Sequence, residues 1–229
     1  MSKLLTTVLC SCGFAIAAFL LTPAVAAPAA APASAAIPAP TILVLGDSIS
    51  AAYGIRVEEG WVALLQKKLA LQGYGYRVVN ASVSGETTTG GAARLPRALE
   101  IHKPAVVVLE LGGNDGLRGL PIAQMRANLQ DMIRRSRAAG ARVVLVGMRI
   151  PPNYGPDYTQ KFQGVYTDLA REHQLPLVPF FMEKVVRTPS LMQADGIHPA
   201  ASAQPLLLDT LWPVLGPVLQ RPTQASSRR

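Results

Sequence analysis

The chain has 229 residues, of which 49% are apolar and 16% charged, and its formal net charge is +8 at pH 7. This length suits one domain with a sizeable core. The positive charge alone would favour nucleic-acid binding. The Lys and Arg residues are scattered, however, and no stripe of basic and aromatic residues is present. The composition therefore argues against nucleic-acid binding and leaves loose contact with anionic membrane surfaces as a secondary interpretation.

The N-terminal segment has the organisation of a secretory signal peptide. Residues 1–3 are a short basic start, residues 8–21 are apolar, and residues 22–26 supply an Ala-x-Ala cleavage pattern. A retained membrane anchor is the alternative, which the short apolar stretch disfavours. We therefore expect cleavage near Ala26 and a periplasmic or secreted protein.

The segment after the predicted signal, residues 27–40, consists almost wholly of Ala, Pro, Ser and Ile, which predicts a disordered, partly extended linker. The globular domain is predicted over residues 41–219, followed by a polar basic tail of residues 220–229. Both cysteines, Cys10 and Cys12, lie within the signal. The mature protein would therefore contain no disulfide and no cysteine metal site.

The first elements of the domain are a strand, a helix, a strand and a helix. Residues 42–45 form a continuous apolar run, typical of a strand buried on both faces of a parallel sheet, and residues 77–81 predict a second strand. Each strand is followed by a helical pattern. The apolar face of the first helix is predicted to contain Trp61, Leu64, Leu65 and Leu69, and that of the second Ala93, Leu95 and Leu99.

Three further strands are predicted over residues 104–111, 142–147 and 177–180, with helices over residues 123–139 and 205–215. Strands that alternate with helices imply a parallel sheet with helices on both faces. Because polar loops follow the strands, Ser48, Gly85 and Asn114 are expected at one edge of the sheet. In open α/β sheets this edge binds ligands.

Ser48 follows Gly46 and Asp47 directly after the first predicted strand, so it is a candidate nucleophile, although a helix cap is an equal alternative. A serine nucleophile needs a base, a group that orients the base, and donors for the oxyanion. His102 and His173 lie at predicted helix ends, where solvated caps are expected.

The third histidine, His198, follows Asp195 by three residues in a late loop. Gly196 between them has a wide range of backbone conformations, so the two side chains are able to meet within one turn. The alternative is that Asp195 caps the following helix and His198 is a surface residue.

Gly85 and Asn114 are the candidate oxyanion donors, through a backbone N–H and a side-chain amide from a Gly-rich loop, although either residue also suits a plain turn. The sequence contains no phosphate loop, dinucleotide fingerprint or Gly-x-Ser-x-Gly motif. Clustered histidine and carboxylate ligands are also lacking, so we expect neither a metal nor another cofactor.

Four motifs together resemble the blocks of the SGNH (GDSL-type) hydrolases, in the family's order and spacing. They are GDSIS from Gly46, with Ile49 where Leu is usual, SGET from Ser84, GGND from Gly112 and DGIHP from Asp195. Residues 109–119, 151–155 and 179–183 further resemble the bacterial periplasmic thioesterase I/protease I/lysophospholipase subgroup, whose members are also named arylesterases.

The resemblance implies a three-layer α/β/α sandwich of flavodoxin-like type and assigns the roles of the site residues. Ser48 would be the nucleophile, His198 the base and Asp195 its orienting group. The backbone N–H groups of Ser48 and Gly85 would hold the oxyanion together with the Asn114 side chain.

The same resemblance implies an exported, monomeric serine hydrolase that cleaves carboxylic esters and thioesters through an acyl-serine intermediate without a cofactor. The acyl chain is expected to contact Leu117, Leu120, Ile150 and Tyr154. A carbohydrate O-deacetylase of the same fold is the alternative among enzymes. A non-catalytic binding domain is the alternative outside them, but such a domain is expected to lack a triad member, and this chain has all three.

Overall fold

A parallel five-stranded sheet forms the centre of the protein in the computed structural model, which describes residues 39–220. The predicted signal, most of the linker and residues 221–229 of the tail lie outside the described residues. The strands are β1 (Thr41–Gly46), β2 (Arg77–Asn80), β3 (Val106–Glu110), β4 (Arg142–Val146) and β5 (Leu177–Val178). They lie in the order β2-β1-β3-β4-β5, and every neighbouring pair is parallel.

Helices cover both faces of this sheet. They are α1 (Trp61–Leu71), α2 (Thr88–His102), α3 (Gly113–Leu117), α4 (Ile122–Ala138), α5 (Pro156–Glu172) and α6 (Gln204–Leu215). Helix α1 packs against α6, whereas α2 packs against α4 and α4 against α5. The predicted three-layer α/β/α sandwich is confirmed, and its strand order is the flavodoxin-like one.

Burial explains why most of these elements follow the sequence pattern. All residues of β1 and β3 are buried, as expected for central strands of a parallel sheet. Trp61, Leu65 and Leu69 of α1 are fully buried, whereas Leu64 is only half-buried. The prediction that Ala93 lies on the buried face of α2 was wrong: Ala93 is exposed, and Gly91 lies against Leu111 instead.

Two local predictions differ from the structure because of backbone effects. The Gly-rich segment at Asn114 was predicted as a loop, but it forms the short helix α3. Gly112 precedes this helix at φ +116, a conformation that favours glycine. Strand β5 ends at Val178 rather than at residue 180, and the next residue, Pro179, has no N–H to donate to a ladder.

The strand order creates a crevice at the carboxyl edge of the sheet. After β1 the chain crosses to β2 on one side, and after β3 it crosses to β4 on the other. The loops after β1 and β3 therefore diverge, and such a switch point is where open α/β sheets bind ligands. Ser48 and Asn114 follow these two strands.

The last residues of β1 and β3, Gly46 and Glu110, are paired in register. A Cβ on Gly46 would lie 2.5 Å from Glu110 Oε2 and 2.7 Å from Ser50 Oγ. The Gly of the Gly-Asp-Ser motif is therefore required by sterics, because the Glu110 carboxyl group and the Ser50 side chain occupy the space that a side chain would need.

We predict that Gly46→Ala lowers the free energy of unfolding by about 1–3 kcal/mol, since the methyl group overpacks a buried site. Gly75→Ala is the matched control, because a Cβ there meets nothing within 4 Å and its φ is not positive. That change should stay within about 0.5 kcal/mol of wild type or stabilise slightly. Urea denaturation of both variants measures the difference, and equal stabilities would contradict the steric account.

Candidate active site

A tight turn after β1 presents Ser48. Ala51 N donates to Asp47 O at 2.9 Å, and Tyr53 N donates to Ser48 O at 3.1 Å. The Asp47 side chain closes the turn from inside, since its Oδ1 accepts from Ile49 N at 3.0 Å. The core therefore fixes the backbone of Ser48, while its hydroxyl lies at the wall of a cavity.

Ser48, His198 and Asp195 form a chain of hydrogen bonds. His198 Nε2 lies 2.9 Å from Ser48 Oγ, and His198 Nδ1 lies 2.6 Å from Asp195 Oδ2. When Nδ1 carries the proton and donates a hydrogen bond to the Asp195 carboxylate, Nε2 is unprotonated and can accept the serine proton. The structure thus brings together three residues that the sequence separates by up to 150 positions.

The Asp195 carboxylate is held by its own loop. Its Oδ1 accepts from Ile197 N at 2.9 Å and from His198 N at 3.0 Å, and Gly196 at φ +67 allows this turn. The backbone and side-chain hydrogen bonds from His198, with the bond from Ile197, lower the pKa of Asp195 to about 2. Asp195 is therefore ionised at neutral pH, and it caps no helix, because both of its oxygens are bound within this loop.

Two residues that were not predicted support His198. The Tyr53 ring lies against the imidazole with a centroid distance of 4.5 Å. Gln193 Nε2 donates to Tyr53 O at 2.7 Å and to Pro199 O at 3.0 Å, and Gln193 N donates to His198 O at 2.7 Å. Gln193 thus connects the loop of residues 193–199, which carries Asp195 and His198, to the segment after Ser48. In the sequence, only its position two residues before Asp195 could have suggested this contact.

The predicted oxyanion donors follow three strands at the carboxyl edge, Ser48 and Gly85 in loops and Asn114 in the first turn of α3. Within the described residues, the N–H groups of Ser48 and Gly85 have no hydrogen-bond acceptor. Asn114 Nδ2 donates to Asp47 Oδ2 at 3.3 Å, which orients the amide and leaves one N–H for another acceptor. Gly85 is exposed at φ +76, and Arg118 Nη2 donates to its carbonyl at 2.9 Å.

A cavity of about 240 Å³ opens beside Ser48 and His198, with Asn114 in its lining. Its apolar wall is formed by Leu117, Met148, Ile150, Met182, Val186 and Met192. Methionine side chains adapt their shape, so such a wall accommodates acyl groups of different length. Gly85 is not among the lining residues.

The four residues predicted to contact an acyl chain divide into two pairs. Leu117 and Ile150 line the cavity, whereas Leu120 and Tyr154 do not. Tyr154 lies behind the wall, where its hydroxyl donates to Leu117 O at 2.6 Å, and Leu120 O accepts from the Tyr158 hydroxyl at 3.0 Å. These two contacts fix the segment that carries Leu117.

Two buried carboxyl groups lie beneath the nucleophile. Desolvation by burial raises the pKa of Asp47 to about 6, against hydrogen bonds from Ile49 and Asn114 that lower it. Burial and the nearby Asp47 charge raise the pKa of Glu110 well above its ordinary value. Glu110 was not predicted as a site residue, because it belongs to the apolar run of β3 and stands in none of the four motifs.

Within residues 39–220, no group of three or more His, Cys, Asp or Glu side chains is placed to hold a metal ion. No helix in the same range is long and apolar enough to cross a membrane.

The GDSL-like lipase/acylhydrolase family matches residues 44–204 of this chain. The esterase TesA of Pseudomonas aeruginosa is 58% identical over 181 residues, which cover 79% of this chain and 90% of that protein. The thioesterase 1/protease 1/lysophospholipase L1 of Escherichia coli K12 is 45% identical over 181 residues, or 79% of this chain and 86% of that protein.

A solved structure agrees with these sequence matches. It is a psychrotrophic esterase, EstA from a Pseudoalteromonas species, inhibited by monoethylphosphonate, with a TM-score of 0.75 and 44% identity. The match covers 77% of this chain and 97% of that one. The resemblance inferred from the four motifs is confirmed: the chain belongs to the GDSL-like lipase/acylhydrolase family, the SGNH hydrolases.

Proposed function

We propose that the protein is a serine hydrolase that cleaves carboxylic esters and thioesters through an acyl-serine intermediate. The observation that carries the proposal is the hydrogen-bonded chain from Ser48 Oγ through His198 to Asp195 at the wall of an apolar cavity. A serine, a base and an orienting carboxylate in this order are the parts that nucleophilic acyl transfer needs.

In the first half of the reaction, Ser48 Oγ attacks the carbonyl carbon while His198 Nε2 takes the serine proton. Asp195 stabilises the imidazolium without itself taking a proton. The negative oxygen of the tetrahedral intermediate binds to the N–H groups of Ser48 and Gly85 and to the Asn114 amide. Collapse of the intermediate expels the alcohol or thiol, which receives the proton from His198.

In the second half, water enters the place of the leaving group. His198 takes a proton from this water as it attacks the acyl-serine, and the same donors hold the second oxyanion. His198 then returns the proton to Ser48 Oγ, and the carboxylic acid leaves. Both halves thus use one base and one set of donors, and neither needs a cofactor.

The apolar wall favours acyl groups over polar sugars as the bound part of the substrate. Six Leu, Ile, Val and Met side chains form most of the cavity wall away from the triad, with Arg149 as a further charged side chain in the lining, and such a wall suits an acyl chain better than a carbohydrate. The relatives named esterase and thioesterase/lysophospholipase point in the same direction. A carbohydrate O-deacetylase remains the alternative, and acetate release from acetylated sugars without activity on aryl or longer acyl esters would favour it.

We further propose that the protein is exported, by cleavage near Ala26, and acts as a monomer with at most loose contact to anionic membranes. The predicted signal and the scattered positive charge support this proposal. The intact mass of the protein recovered from cells tests the cleavage.

The direct test compares wild type with Ser48→Ala on aryl esters, acyl-CoA and lysophospholipids of graded chain length. We expect wild type to hydrolyse both ester and thioester bonds, and Ser48→Ala to lose at least ~10⁴-fold in kcat while remaining folded. A fluorophosphonate probe should label wild type at Ser48 alone. Labelling at Ser82 or Ser84 would overturn the assignment of the nucleophile.

The two partners on the catalytic loop should differ in their effect on turnover. His198→Ala removes the group that carries the proton, so we expect a loss of kcat comparable to that of Ser48→Ala. Asp195→Ala should be roughly 10²-fold milder, because Asp195 acts only through the ring, which Tyr53 and Gln193 also support. Thermal melts of both variants control for folding. If folded His198→Ala is the more active of the two, His198 is not the base.

The cavity wall should set the preference for acyl-chain length. Replacing Ile150 with Ala removes apolar surface inside the cavity and should alter kcat/KM for long-chain esters by about 10-fold or more relative to a short aryl ester. Leu120→Ala is the matched control, because Leu120 lies outside the lining. Equal changes for the two variants at all chain lengths would show that this cavity does not bind the acyl chain.

A further inference from the structure

The carboxyl group of Glu110 lies directly beneath the turn that carries Ser48. Its side chain has no exposed surface. Glu110 Oε2 accepts from Ser50 Oγ at 2.6 Å and from Asp47 N at 3.3 Å. One side chain therefore holds the turn on both sides of the nucleophile.

These hydrogen bonds explain why the turn leaves Ser48 N–H free. The residue before Ser48 and the second residue after it are both bound to Glu110, and Ile49 N is bound to Asp47 Oδ1. The N–H of Ser48 has no acceptor among the described residues. It is the group that the proposed mechanism uses for the oxyanion.

A second feature is that Glu110 faces another buried carboxyl group. Asp47 is 2% exposed and adjoins Glu110 at the end of the neighbouring strand. Neither group forms an ion pair with Lys or Arg within the described residues. Two adjacent buried carboxylates without a cation repel each other strongly, so the pair retains a proton.

The distribution of the hydrogen bonds over the four oxygens indicates which group holds this proton, because both bonds to Glu110 reach Oε2 and leave its other oxygen without a donor. Each Asp47 oxygen accepts a hydrogen bond, from Ile49 N and from Asn114 Nδ2, which favours the ionised form. Glu110 Oε1 is buried and has no partner within residues 39–220. An unpartnered neutral oxygen costs far less free energy than an unpartnered charged one. The direction of the pKa of Glu110, well above its ordinary value, agrees.

We propose that Glu110 is a positioning residue for the hydrolysis, and that it holds the Ser48 turn as an uncharged carboxyl group. The proposal rests on the proposed function, because the turn carries the nucleophile. Glu110 touches no substrate and acts through Asp47, Ser48 and Ser50. Loss of its proton adds a negative charge behind the Asp47 carboxylate that orients Asn114, and this charge opposes the developing oxyanion.

Other titratable groups surround the pair. Asp115 of α3 and Tyr166 of α5 interact with it, and Tyr166 donates its hydroxyl to Leu111 O at 2.9 Å. His198 approaches Asp47 from the catalytic loop. Asp115 adds negative potential and therefore favours the protonated form of the pair. Only protonated His198 adds positive charge, and His198 must be neutral to act as a base.

Turnover should consequently fall at alkaline pH as the pair loses its last proton. The sign follows from the raised pKa of Glu110: the unfolded chain gives up this proton at a lower pH than the folded protein, so stability falls as pH rises from the ordinary Glu pKa to the raised one, and correct positioning is lost as pH passes the raised pKa. Glu110→Gln keeps the shape and cannot ionise, so its activity should not follow this fall.

The test measures kcat and KM for a soluble aryl ester from neutral to alkaline pH, with Ser48→Ala protein as the background. We expect Glu110→Gln to lie within about 10-fold of wild type at neutral pH with KM nearly unchanged. Wild-type kcat should then fall by about 10-fold at alkaline pH relative to Glu110→Gln. Asp115→Asn is the control: this buried carboxylate forms its hydrogen bonds with Thr88, so the variant should keep the alkaline fall and shift it to slightly lower pH, because the negative charge that favours the protonated pair is removed.

An infrared measurement tests the proton without activity. Slightly above neutral pH, wild type and Ser48→Ala should both show the C=O band of a protonated carboxyl group, and carbon-13 labelling of glutamate side chains should shift it. The band should be absent from Glu110→Gln. The isotope assigns the band to a glutamate, and Glu110 is the one buried glutamate among the described residues, so the result holds even if Glu110→Gln does not fold.

The outcomes separate this inference from the proposed function. If wild type hydrolyses no ester or thioester, the proposed function fails, whereas the infrared band still reports on Glu110. If wild type is active but its pH profile coincides with that of Glu110→Gln, or the labelled band is missing, Glu110 does not act as an uncharged positioning group.

Discussion

The parallel pairing of β1 with β3 is the constraint on which the active site depends. It pairs Gly46 with Glu110 in register, so both strands end at the same edge of the sheet. Ser48 and Asn114, which follow the two strands, therefore lie side by side. The absence of a side chain at Gly46 admits the Glu110 carboxyl group, and the absence of one at Gly113 admits Asp47, whose Oδ2 would lie 3.2 Å from a Cβ there. The small residues of the motifs thus make room for buried acids, and these acids fix the turn.

Environment divides the acidic residues of the site into two kinds. Asp195 lies on an exposed loop, where three hydrogen bonds stabilise its charge and its pKa falls to about 2. Asp47 and Glu110 are buried beneath the nucleophile, and desolvation raises both of their pKa values. In the proposed mechanism the ionised Asp195 is therefore available to stabilise the imidazolium. Asp47 and Glu110, beneath Ser48, together carry less than two negative charges because the pair retains a proton. This arrangement keeps negative potential low where the oxyanion forms.

The sequence predicts the parts of the structure that follow from continuous apolar runs and from motifs. Strands such as residues 42–45 are recognisable because they are buried on both faces, and Ser48 and His198 are recognisable because they stand in family motifs. Neither periodicity nor a motif identifies Glu110, since a charged residue at the end of an apolar strand carries no periodic signal. Ala93 was misplaced because the tightest helix–sheet contact of α2 uses Gly91, which hydropathy does not mark as buried. Such choices depend on partners that are distant in sequence.

Ser48 and His198, the proposed nucleophile and base, are held in different ways, and this difference bears on how the proposed mechanism works. Ser48 lies on a turn that hydrogen bonds to the buried Glu110 and Asp47 side chains tie to the end of the sheet. His198 stands on a loop whose hydrogen bonds are mostly local, with Gln193 as a long-range contact to Tyr53. In the proposed mechanism the donors around Ser48 supply the electrostatic stabilisation, and this stabilisation is lost when donors move. The base needs only to stay within hydrogen-bond reach of the serine and of the leaving group in turn, so a loop on the rim of the cavity is sufficient to carry it.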